Sequence, residues 1–439
     1  MYLSNRIRNI SFWALDFIKG SKIKNHLTDI SKILENHNGS NPKRQQHINN
    51  LINHAVSTTL FYKQYDKLKN IEEFPVINKS IIQNNFNTFQ SDFFLKKTKH
   101  KVSTSGSTGI PFYLFQDKNK RHRNTADVIY FFQKSGYIIG EKLYFLEAWR
   151  HFKNNNLLKS RIKNLEYIDI SSFESFQIEA FLNKLKNSSK PKTIIGLPSA
   201  FENICKYFEA NGSFNSKHFN IHSIITVSEF LNNDLKTSLK KHFNTKVVSR
   251  YSNEEMGILA QQDPNDDSNC FNINWASYHV EILKMDSNDK AELGELGRIV
   301  ITDLFNYCIP LIRYDTGDIG AFETPQIGND LYKFKTIEGR KMDILYDTSG
   351  KIISPHLIHT IFYKYFHWLK QYQFIQENEK EYTVKLNIQS SFPNEKELIN
   401  DIKNDFGNDA KVSIIYVDEI PPLSSGKRKK VASNYTKPD

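Results

Sequence analysis

Cysteine is scarce in this sequence, and its apolar runs are short. The three cysteines, Cys205, Cys270 and Cys308, are too few and too scattered for a disulfide framework or a cysteine-based zinc site, which points to a reducing compartment. No run reaches the roughly 18 consecutive apolar residues of a membrane-spanning helix. The first residues also lack the order of charged, apolar and small segments that marks a secretory signal. These absences predict a cytoplasmic protein.

The sequence also lacks an acidic excess. It contains 59 Lys and Arg against 48 Asp and Glu, which gives a formal net charge of +11. Such a charge is compatible with nucleic acid or anionic lipid as a partner. The lysines are nevertheless dispersed, and no stripe of alternating aromatic and basic residues follows them. We therefore expect no nucleic-acid partner.

Residues 5–24 combine basic residues with Ile, Phe and Trp at helical spacing. Two interpretations of this segment are open. In the commoner arrangement, its apolar face packs on the rest of the protein. In the other, the segment holds the protein on the inner face of a membrane as a peripheral contact.

The length of 439 residues predicts two or three domains. Residues 1–98 are mainly helical in pattern, and strand-like runs then alternate with helical ones, which predicts βαβ units. The strand-like runs are at 141–149, 192–198, 221–228 and 245–252. We expect an α/β protein, with mixed βαβ sheets covered by helices over residues 1–339 and a small, mobile α+β domain over residues 340–439.

Glycine is scarce too, with 18 residues, yet two glycines fall in one run of hydroxyl residues, VSTSGSTGIPF at 102–112. Such a run offers hydroxyls and unobstructed backbone N–H groups to an anion. It is not a Walker P-loop, because Pro111 stands where that motif requires its second glycine and no lysine follows in the loop. A flexible Ser/Gly linker is the alternative, and the apolar FYLF that follows at once argues against it.

The segment STSGSTGIP resembles the phosphate-binding loop of the adenylate-forming superfamily, which includes the acyl- and aryl-CoA ligases. Further segments resemble that superfamily in its own order: TVSEFL, RYSNEEMG, RYDTGD, GRKMD and PPLSSGKRKK. The resemblance covers roughly residues 70–430. The nucleotide-binding residues it implies are Thr104, Ser105, Gly106, Ser107, Thr108, Gly109, Ser228, Glu229, Tyr251, Ser252, Asp318 and Arg340.

The resemblance also assigns roles to individual residues. It implies that Tyr251 stacks on adenine, that Glu255 holds magnesium, and that Asp318 accepts hydrogen bonds from the ribose hydroxyls. It places Arg340 at the hinge, in contact with phosphate or ribose. Lys427 is the implied catalytic lysine, which brings positive charge to the carboxylate and the α-phosphate.

Finer details resemble the phenylacetate-CoA ligase branch, in particular the CapK-like proteins of polysaccharide gene clusters. The segments FPVINKSIIQNN, IIGLPSAFENI and TVSEFL carry this similarity. The last of them places Ser228 and Glu229 at a strand end beside the adenine.

Three positions depart from the family pattern. Ser252 replaces a glycine, Glu254 replaces a threonine or serine, and Met342 replaces a hinge aspartate. Glu254 matters most, because an extra carboxylate repels the α-phosphate unless it turns away or shares the metal. Some relatives carry a Cys/His metal site here, but Cys270 and His279 alone are too few for structural zinc, and we expect none.

The resemblance implies an ATP-dependent carboxylate ligase that forms an acyl-AMP and pyrophosphate. The expected partner is a small carboxylic acid, the expected cofactors are ATP and Mg²⁺, and the acceptor is coenzyme A, the phosphopantetheine of an acyl-carrier protein, or an amine such as an amino sugar. The setting implied is cell-surface polysaccharide biosynthesis. The alternative is a non-catalytic adenylate-binding or scaffold protein with a degenerate site. The expected acid pocket contains Tyr144, Trp149, Phe201 and His222, with core packing as the alternative for each.

Overall fold

Helices occupy the first hundred residues, and strands alternate with helices beyond them. The computed structural model describes residues 2–35, 42–104, 112–147, 157–170, 173–212, 219–323, 332–340, 345–353, 355–421 and 429–435. The chain divides into two compact units. The first comprises Met1–Leu231, Thr237–Thr316 and Gly320–Ile337, and the second comprises Asn232–Lys236, Gly317–Ile319 and Glu338–Asp439.

The helices begin and end where the sequence supplies the appropriate residues. In chain order they are α1 (Leu3–Ile18), α2 (Lys22–Leu34), α3 (Pro42–Thr58), α4 (Leu60–Lys63), α5 (Lys79–Asn84), α6 (Phe86–Phe89), α7 (Lys118–Lys134), α8 (Leu157–Lys163), α9 (Ser175–Lys186), α10 (Pro198–Asn211), α11 (Asn233–Phe243), α12 (Pro355–Tyr363) and α13 (Glu395–Phe406). Asp117 caps α7, because its Oδ1 accepts from Lys120 N at 2.9 Å. Within the described ranges, no helix combines the length and the apolar character needed to cross a membrane.

The strands follow the predicted runs closely. They are β1 (His100–Thr104), β2 (Phe112–Gln116), β3 (Lys142–Glu147), β4 (Leu165–Asp169), β5 (Lys192–Gly196), β6 (Ile221–Val227), β7 (Lys246–Asn253), β8 (Gly257–Gln262), β9 (Phe271–Ile273), β10 (Tyr278–Leu283), β11 (Gly297–Asp303), β12 (Tyr314–Phe322), β13 (Lys333–Arg340), β14 (Leu345–Tyr346), β15 (Ile352–Ile353), β16 (Leu369–Asn378), β17 (Glu381–Ile388), β18 (Lys411–Tyr416) and β19 (Val431–Ser433). β1 and β2 form a hairpin whose last pair is Thr104 with Phe112.

A large mixed sheet forms the centre of the first unit. Its strand order in the described part of the chain is β10-β11-β12-β13-β9-β8-β7-β6-β5-β3-β4. The five strands from β7 to β4 in this order run parallel, and helices connect them as the βαβ pattern predicts. β7 then turns back into β8, and β10 pairs with β11 antiparallel.

A buried ion pair fixes the segment that precedes the β1–β2 hairpin. Arg313 donates to both carboxylate oxygens of Glu281, at 3.1 and 3.0 Å. The same guanidinium donates to the backbone oxygens of Glu72 and Phe74 at 2.8 and 2.9 Å. Removing one partner of such a buried pair costs about 3–5 kcal/mol. Arg313 therefore joins residues far apart in sequence within one core.

The second unit contains a small sheet with strand order β18-β17-β16-β19. β16 and β17 form the predicted antiparallel pair, and β18 lies parallel to β17. α13 turns Leu398, Ile402 and Phe406 into this unit's apolar core. The predicted fold class, an α/β protein with a smaller α+β unit, is confirmed.

Candidate functional site

The parallel strands β6 and β7 place their carboxyl ends side by side. Val227 and Arg250 are register partners in this pair. Ser228 and Tyr251 follow them directly, so these two predicted nucleotide-binding residues are neighbours at one edge of the sheet. Ligands of parallel α/β sheets bind at the carboxyl ends of the strands.

Glu229 is held by the first turn of α10. Its Oε2 accepts from Ser199 N at 2.9 Å, and its Oε1 accepts from Ser199 Oγ at 3.2 Å. Ser199 is the second residue of α10, where backbone N–H groups have no partner inside the helix and a carboxylate is favourable. Ser228, just before, is exposed and has a left-handed φ of 69°. Glu229 thereby fixes the backbone at the end of β6 against the end of β5.

The turn between β7 and β8 holds Glu255 at the same edge. Asn253 Oδ1 accepts from Met256 N at 2.9 Å, and the buried Gln116 donates through Nε2 to the Glu255 backbone oxygen at 2.9 Å. Gly257 closes the turn with φ +118°, where a Cβ would lie 3.1 Å from Asn124 Oδ1. The backbone of Glu255 is therefore held in place, and its side chain is half-buried.

Glu254, the residue that replaces a family hydroxyl, is exposed and interacts electrostatically with Arg121 of α7. Burial lowers the pKa of Arg121, and the Glu254 carboxylate opposes that lowering. Arg121 also donates to Gln116 Oε1 at 3.4 Å. The extra negative charge therefore has a neighbouring cation, which reduces its repulsion toward an anionic ligand.

Tyr251 lies on β7 at an irregularity in the pairing with β8, which falls between Tyr251 and Ser252. Its ring is half-buried and meets Phe334 edge to face, with 6.2 Å between the ring centroids. A half-covered ring at a strand end is suited to stacking on a flat base.

Comparisons with known proteins agree with this arrangement. A crystal structure of 2-hydroxyisobutyryl-CoA ligase in the postadenylation state, in complex with R3-HIB-AMP, is similar with a TM-score of 0.69 at 14% identity, covering 89% of each chain. An open conformation of that ligase with 2-HIB-AMP and CoA gives a TM-score of 0.56 at 15% identity, over 90% of this chain and 91% of the other. This chain has the adenylate-forming ligase fold.

The other comparisons refine that result. ATP-bound MatB from Rhodopseudomonas palustris gives a TM-score of 0.55 at 14% identity, over 75% of this chain and 66% of the MatB chain. The family model of the CapK C-terminal domain matches residues 345–434. No curated protein matches the sequence. The resemblance to CapK-like proteins is confirmed over residues 345–434, and the adenylate-forming fold is confirmed by the similar structures. The phenylacetate-CoA ligase branch stays a prediction.

His222 requires a correction to the predicted acid pocket of this adenylate-forming fold. It stands near the start of β6, whereas Ser228 follows the end of that strand, roughly 20 Å away at about 3.3 Å per residue. Its Nδ1 lies 2.9 Å from the Gly136 backbone oxygen and 3.2 Å from Glu141 Oε2. The structure therefore gives His222 partners at the opposite end of the sheet.

Core packing accounts for two other predicted pocket residues. Tyr144 is 3% exposed and meets the Phe181 ring edge to face, with 5.6 Å between the centroids. Phe201 is fully buried on α10, close to Gly196. Gly196 allows this approach, since a Cβ there would lie 2.8 Å from the Leu146 Cβ.

Several predicted residues of the adenylate-forming site lie outside the described part of the chain. These are Ser105, Gly106, Ser107, Thr108, Gly109, Trp149, Met342 and Lys427. For Thr104 and Arg340 the structure describes the backbone alone, at the ends of β1 and β13. Asp318 lies on β12 within the second unit, with a half-buried side chain. Their roles stay predictions.

Glu255 is the residue of this site that the sequence predicts as a metal ligand. Among the described residues, no group of three or more His, Cys, Asp or Glu side chains could hold a metal ion. Nucleotide-bound magnesium needs one or two protein carboxylates, because phosphates and water supply its other ligands. Glu255 fits that requirement. Cys270 and His279 have separate partners, Glu323 and Arg44, at 3.5 and 2.9 Å.

Sequence reasoning missed three residues that support this edge. Ser199 holds Glu229, Gln116 holds the Glu255 backbone, and Arg121 accompanies Glu254. Ser199 follows Pro198 at the start of a helix, which marks a backbone anion site. Nothing in the sequence distinguishes Gln116 or Arg121 from ordinary polar residues.

Proposed function

We propose that this protein is an ATP-dependent carboxylate ligase whose nucleotide binds at the carboxyl ends of β5, β6 and β7. The observation that carries the proposal is the alignment of Ser228, Glu229, Tyr251 and Glu255 at one edge of an adenylate-forming fold. These residues come from separate motifs, and the register of β6 with β7 brings them together. A half-covered tyrosine, Tyr251, beside a glutamate with a constrained backbone, Glu255, favours a binding role over a purely structural one.

The proposed reaction has two steps. A substrate carboxylate oxygen attacks the α-phosphorus of ATP, an acyl–phosphate bond forms, and the bond to pyrophosphate breaks. A thiol or amine then attacks the acyl carbon, loses its proton, and releases AMP. Both steps bring anions or lone pairs together, so the site must supply donors and positive charge.

Each residue of the edge has a part in this scheme. Tyr251 stacks on adenine, and Glu229, acting through Ser199, positions the backbone on which adenine lies. Glu255 would hold magnesium, which supplies charge neutralisation along the phosphates when it is bound. Arg121 would offset the negative charge of the Glu254 carboxylate near the phosphates. Lys427 brings positive charge to the carboxylate during the first step.

We propose a thiol acceptor, either coenzyme A or a phosphopantetheine, with an amine such as an amino sugar as the competing acceptor. Complexes of 2-hydroxyisobutyryl-CoA ligase with CoA support the thiol. The CapK C-terminal domain match over 345–434 agrees with the CapK-like resemblance of the sequence, which implies polysaccharide biosynthesis and makes an amino sugar the competing acceptor. The basic run GKRKK, 426–430, would help to hold phosphates of either acceptor.

The test is carboxylate-dependent release of pyrophosphate from MgATP, across a panel of aryl, hydroxy, amino and sugar acids. Glu255→Ala and Lys427→Ala should abolish release. The matched controls are Glu179→Ala and Lys186→Ala, which change exposed residues of α9 and should leave release intact. If no acid in the panel stimulates pyrophosphate release while ATP still binds, the non-catalytic adenylate-binding protein is favoured instead.

A further inference from the structure

Helix α1 presents its polar face to the protein, whereas an ordinary surface helix presents its apolar face. Its buried residues are polar, with Asn5 exposed by 1% and Asp16 by 5%. Asn9 donates through Nδ2 to the Ile139 backbone oxygen at 3.1 Å. Asp16 caps α2, since its two carboxylate oxygens accept from the backbone N–H groups of Ile23 and Lys24 at 3.0 and 2.9 Å. The polar face of α1 therefore lies against the protein.

The opposite face of α1 is a continuous apolar stripe. At 100° per residue, six positions fall within about 100° of one another. They are Leu3, Ile7, Ile10, Ala14, Phe17 and Ile18. The side chains at positions 3, 7, 10, 17 and 18 are 74%, 56%, 58%, 77% and 78% exposed. The interpretation in which this apolar face packs on the rest of the protein is therefore wrong.

Close backbone contact holds α1 in this orientation. Gly140 has φ +99°, and a Cβ there would lie 2.4 Å from the Asn5 backbone oxygen. At the start of the helix, Tyr2 Oη donates to the Ser189 backbone oxygen at 3.3 Å. Rotating the helix to bury its stripe would remove these contacts and expose the groups that they satisfy.

Basic side chains accompany the stripe. Residues 2–35 contain six cationic side chains, at Arg6, Arg8, Lys19, Lys22, Lys24 and Lys32. Their three acids are all engaged: Asp16 caps α2, Asp29 pairs with Arg123 at 2.6 Å, and Glu35 pairs with Lys134 at 3.2 Å. Six cations against three acids give residues 2–35 a formal net charge of +3, which favours an anionic surface.

We propose that α1 docks on the surface of an anionic lipid bilayer, with its apolar stripe at the level of the acyl chains and its cations at the headgroups. The 16 residues of α1 span about 24 Å, and a footprint about 10 Å wide covers roughly 240 Å². A stable protein dimer buries roughly 800 Å² per partner. The stripe alone is too small for a dimer, whereas a helix of this kind suffices for an interface of lipid. This inference does not depend on the proposed ligase activity.

The test is co-sedimentation of the full chain with vesicles. One set contains about one-third phosphatidylglycerol in phosphatidylcholine, and the other is pure phosphatidylcholine. We expect binding to the anionic vesicles, weakened by high salt, and a loss of at least about tenfold in affinity for Ile10→Glu combined with Phe17→Glu. Both side chains are exposed, so the double variant should still fold, and circular dichroism will verify its fold.

The matched control is Leu60→Glu combined with Phe176→Glu, which changes exposed apolar residues of α4 and α9 that are 64% and 67% exposed. It adds the same negative charge elsewhere and should bind vesicles within about twofold of the unaltered chain. Absence of vesicle binding, or an equal loss in the control pair, overturns the proposal. The proposal is also overturned if the unaltered chain self-associates and Ile10→Glu combined with Phe17→Glu abolishes that self-association, because a second copy then covers the stripe.

Discussion

The polar groups at the two ends of β5 and β6 differ in their burial and in their partners. At the amino ends, Lys192 is fully buried and its Nζ donates to the backbone oxygens of Ser188, at 2.7 Å, and Phe219. His222 is paired there with Glu141. At the carboxyl ends, Ser228 is exposed with a left-handed backbone, and the neighbouring Tyr251 is half-covered.

The difference supports the proposal that the nucleotide binds at the carboxyl ends. Polar groups at the amino ends bond to other groups of the protein. Burial lowers the pKa of Lys192 to about 8, and two backbone carbonyl oxygens accept hydrogen bonds from its ammonium group. At the carboxyl ends, carboxylates and backbone are held in place while hydroxyl and ring faces remain outside the core. Rigid support beneath accessible groups is the arrangement that a binding site requires.

The largest predicted difference between the two ends is catalytic. Glu255→Gln keeps the shape of the side chain and removes the charge that magnesium needs, so kcat/KM for pyrophosphate release should fall by about 10²–10³-fold. His222→Gln at the amino end should change it by less than about threefold. Steady-state pyrophosphate release measures both. Comparable losses in the two variants would contradict the assignment of the carboxyl end.

A smaller effect is expected from the residue that positions the edge. Glu229→Gln weakens the charge-assisted hydrogen bonds from Ser199, so KM for ATP should rise by about tenfold with a smaller change in kcat. Ser199→Ala removes one of the two bonds and should raise KM less. If kcat falls and KM stays constant, Glu229 acts in the chemical step instead of in positioning.

Two glycine substitutions separate backbone strain from crowding: Gly257 lies at this edge, and Gly212 follows the last residue of α10. Gly257→Ala meets both a positive φ and Asn124, and should destabilise the protein by about 1–3 kcal/mol. Gly212→Ala meets a positive φ of 77°, and no heavy atom of the described residues lies within 4 Å of the new Cβ, so its cost should be about 1 kcal/mol. Urea unfolding of both variants gives the comparison. Equal costs would show that Asn124 moves aside freely.

The smallest effect is a pH dependence at the amino ends. The hydrogen bond with Glu141 raises the pKa of His222, against the opposing effect of burial. The resulting stability is fully present below pH 6.5, the unfolded value, and is lost as the pH rises through the folded pKa. The stability of the protein relative to His222→Gln should therefore decline as the pH rises above 6.5, by less than about 1 kcal/mol. A constant difference across that range would contradict the pairing.

The positions of the strand-end residues could be predicted from the sequence, because a motif that ends a strand is placed by the strand's register; their roles stay predictions. Ser228 and Tyr251 become neighbours once β6 and β7 pair in parallel. The same reasoning failed for His222, since a residue type does not reveal which end of a buried strand it occupies. Gln116 was missed because its role depends on a contact 139 residues away in sequence.

The orientation of α1 also lay beyond sequence reasoning. Helical periodicity separates an apolar face from a polar face, but it does not say which face meets the protein. That choice depended on partners elsewhere, the Ile139 oxygen and the close approach at Gly140. Ordinary burial of apolar faces does hold for α13, whose Leu398 is fully buried.

Hydrogen exchange with and without MgATP tests the central claim most directly, because both ends of the same strands are followed in one experiment. We expect MgATP to slow amide exchange severalfold at residues 197–199, 228–231 and 252–257, around the carboxyl ends. Exchange at 187–191 and 219–222, around the amino ends, should remain unchanged. Protection at the amino ends alone, or at neither end, would contradict the placement of the nucleotide site.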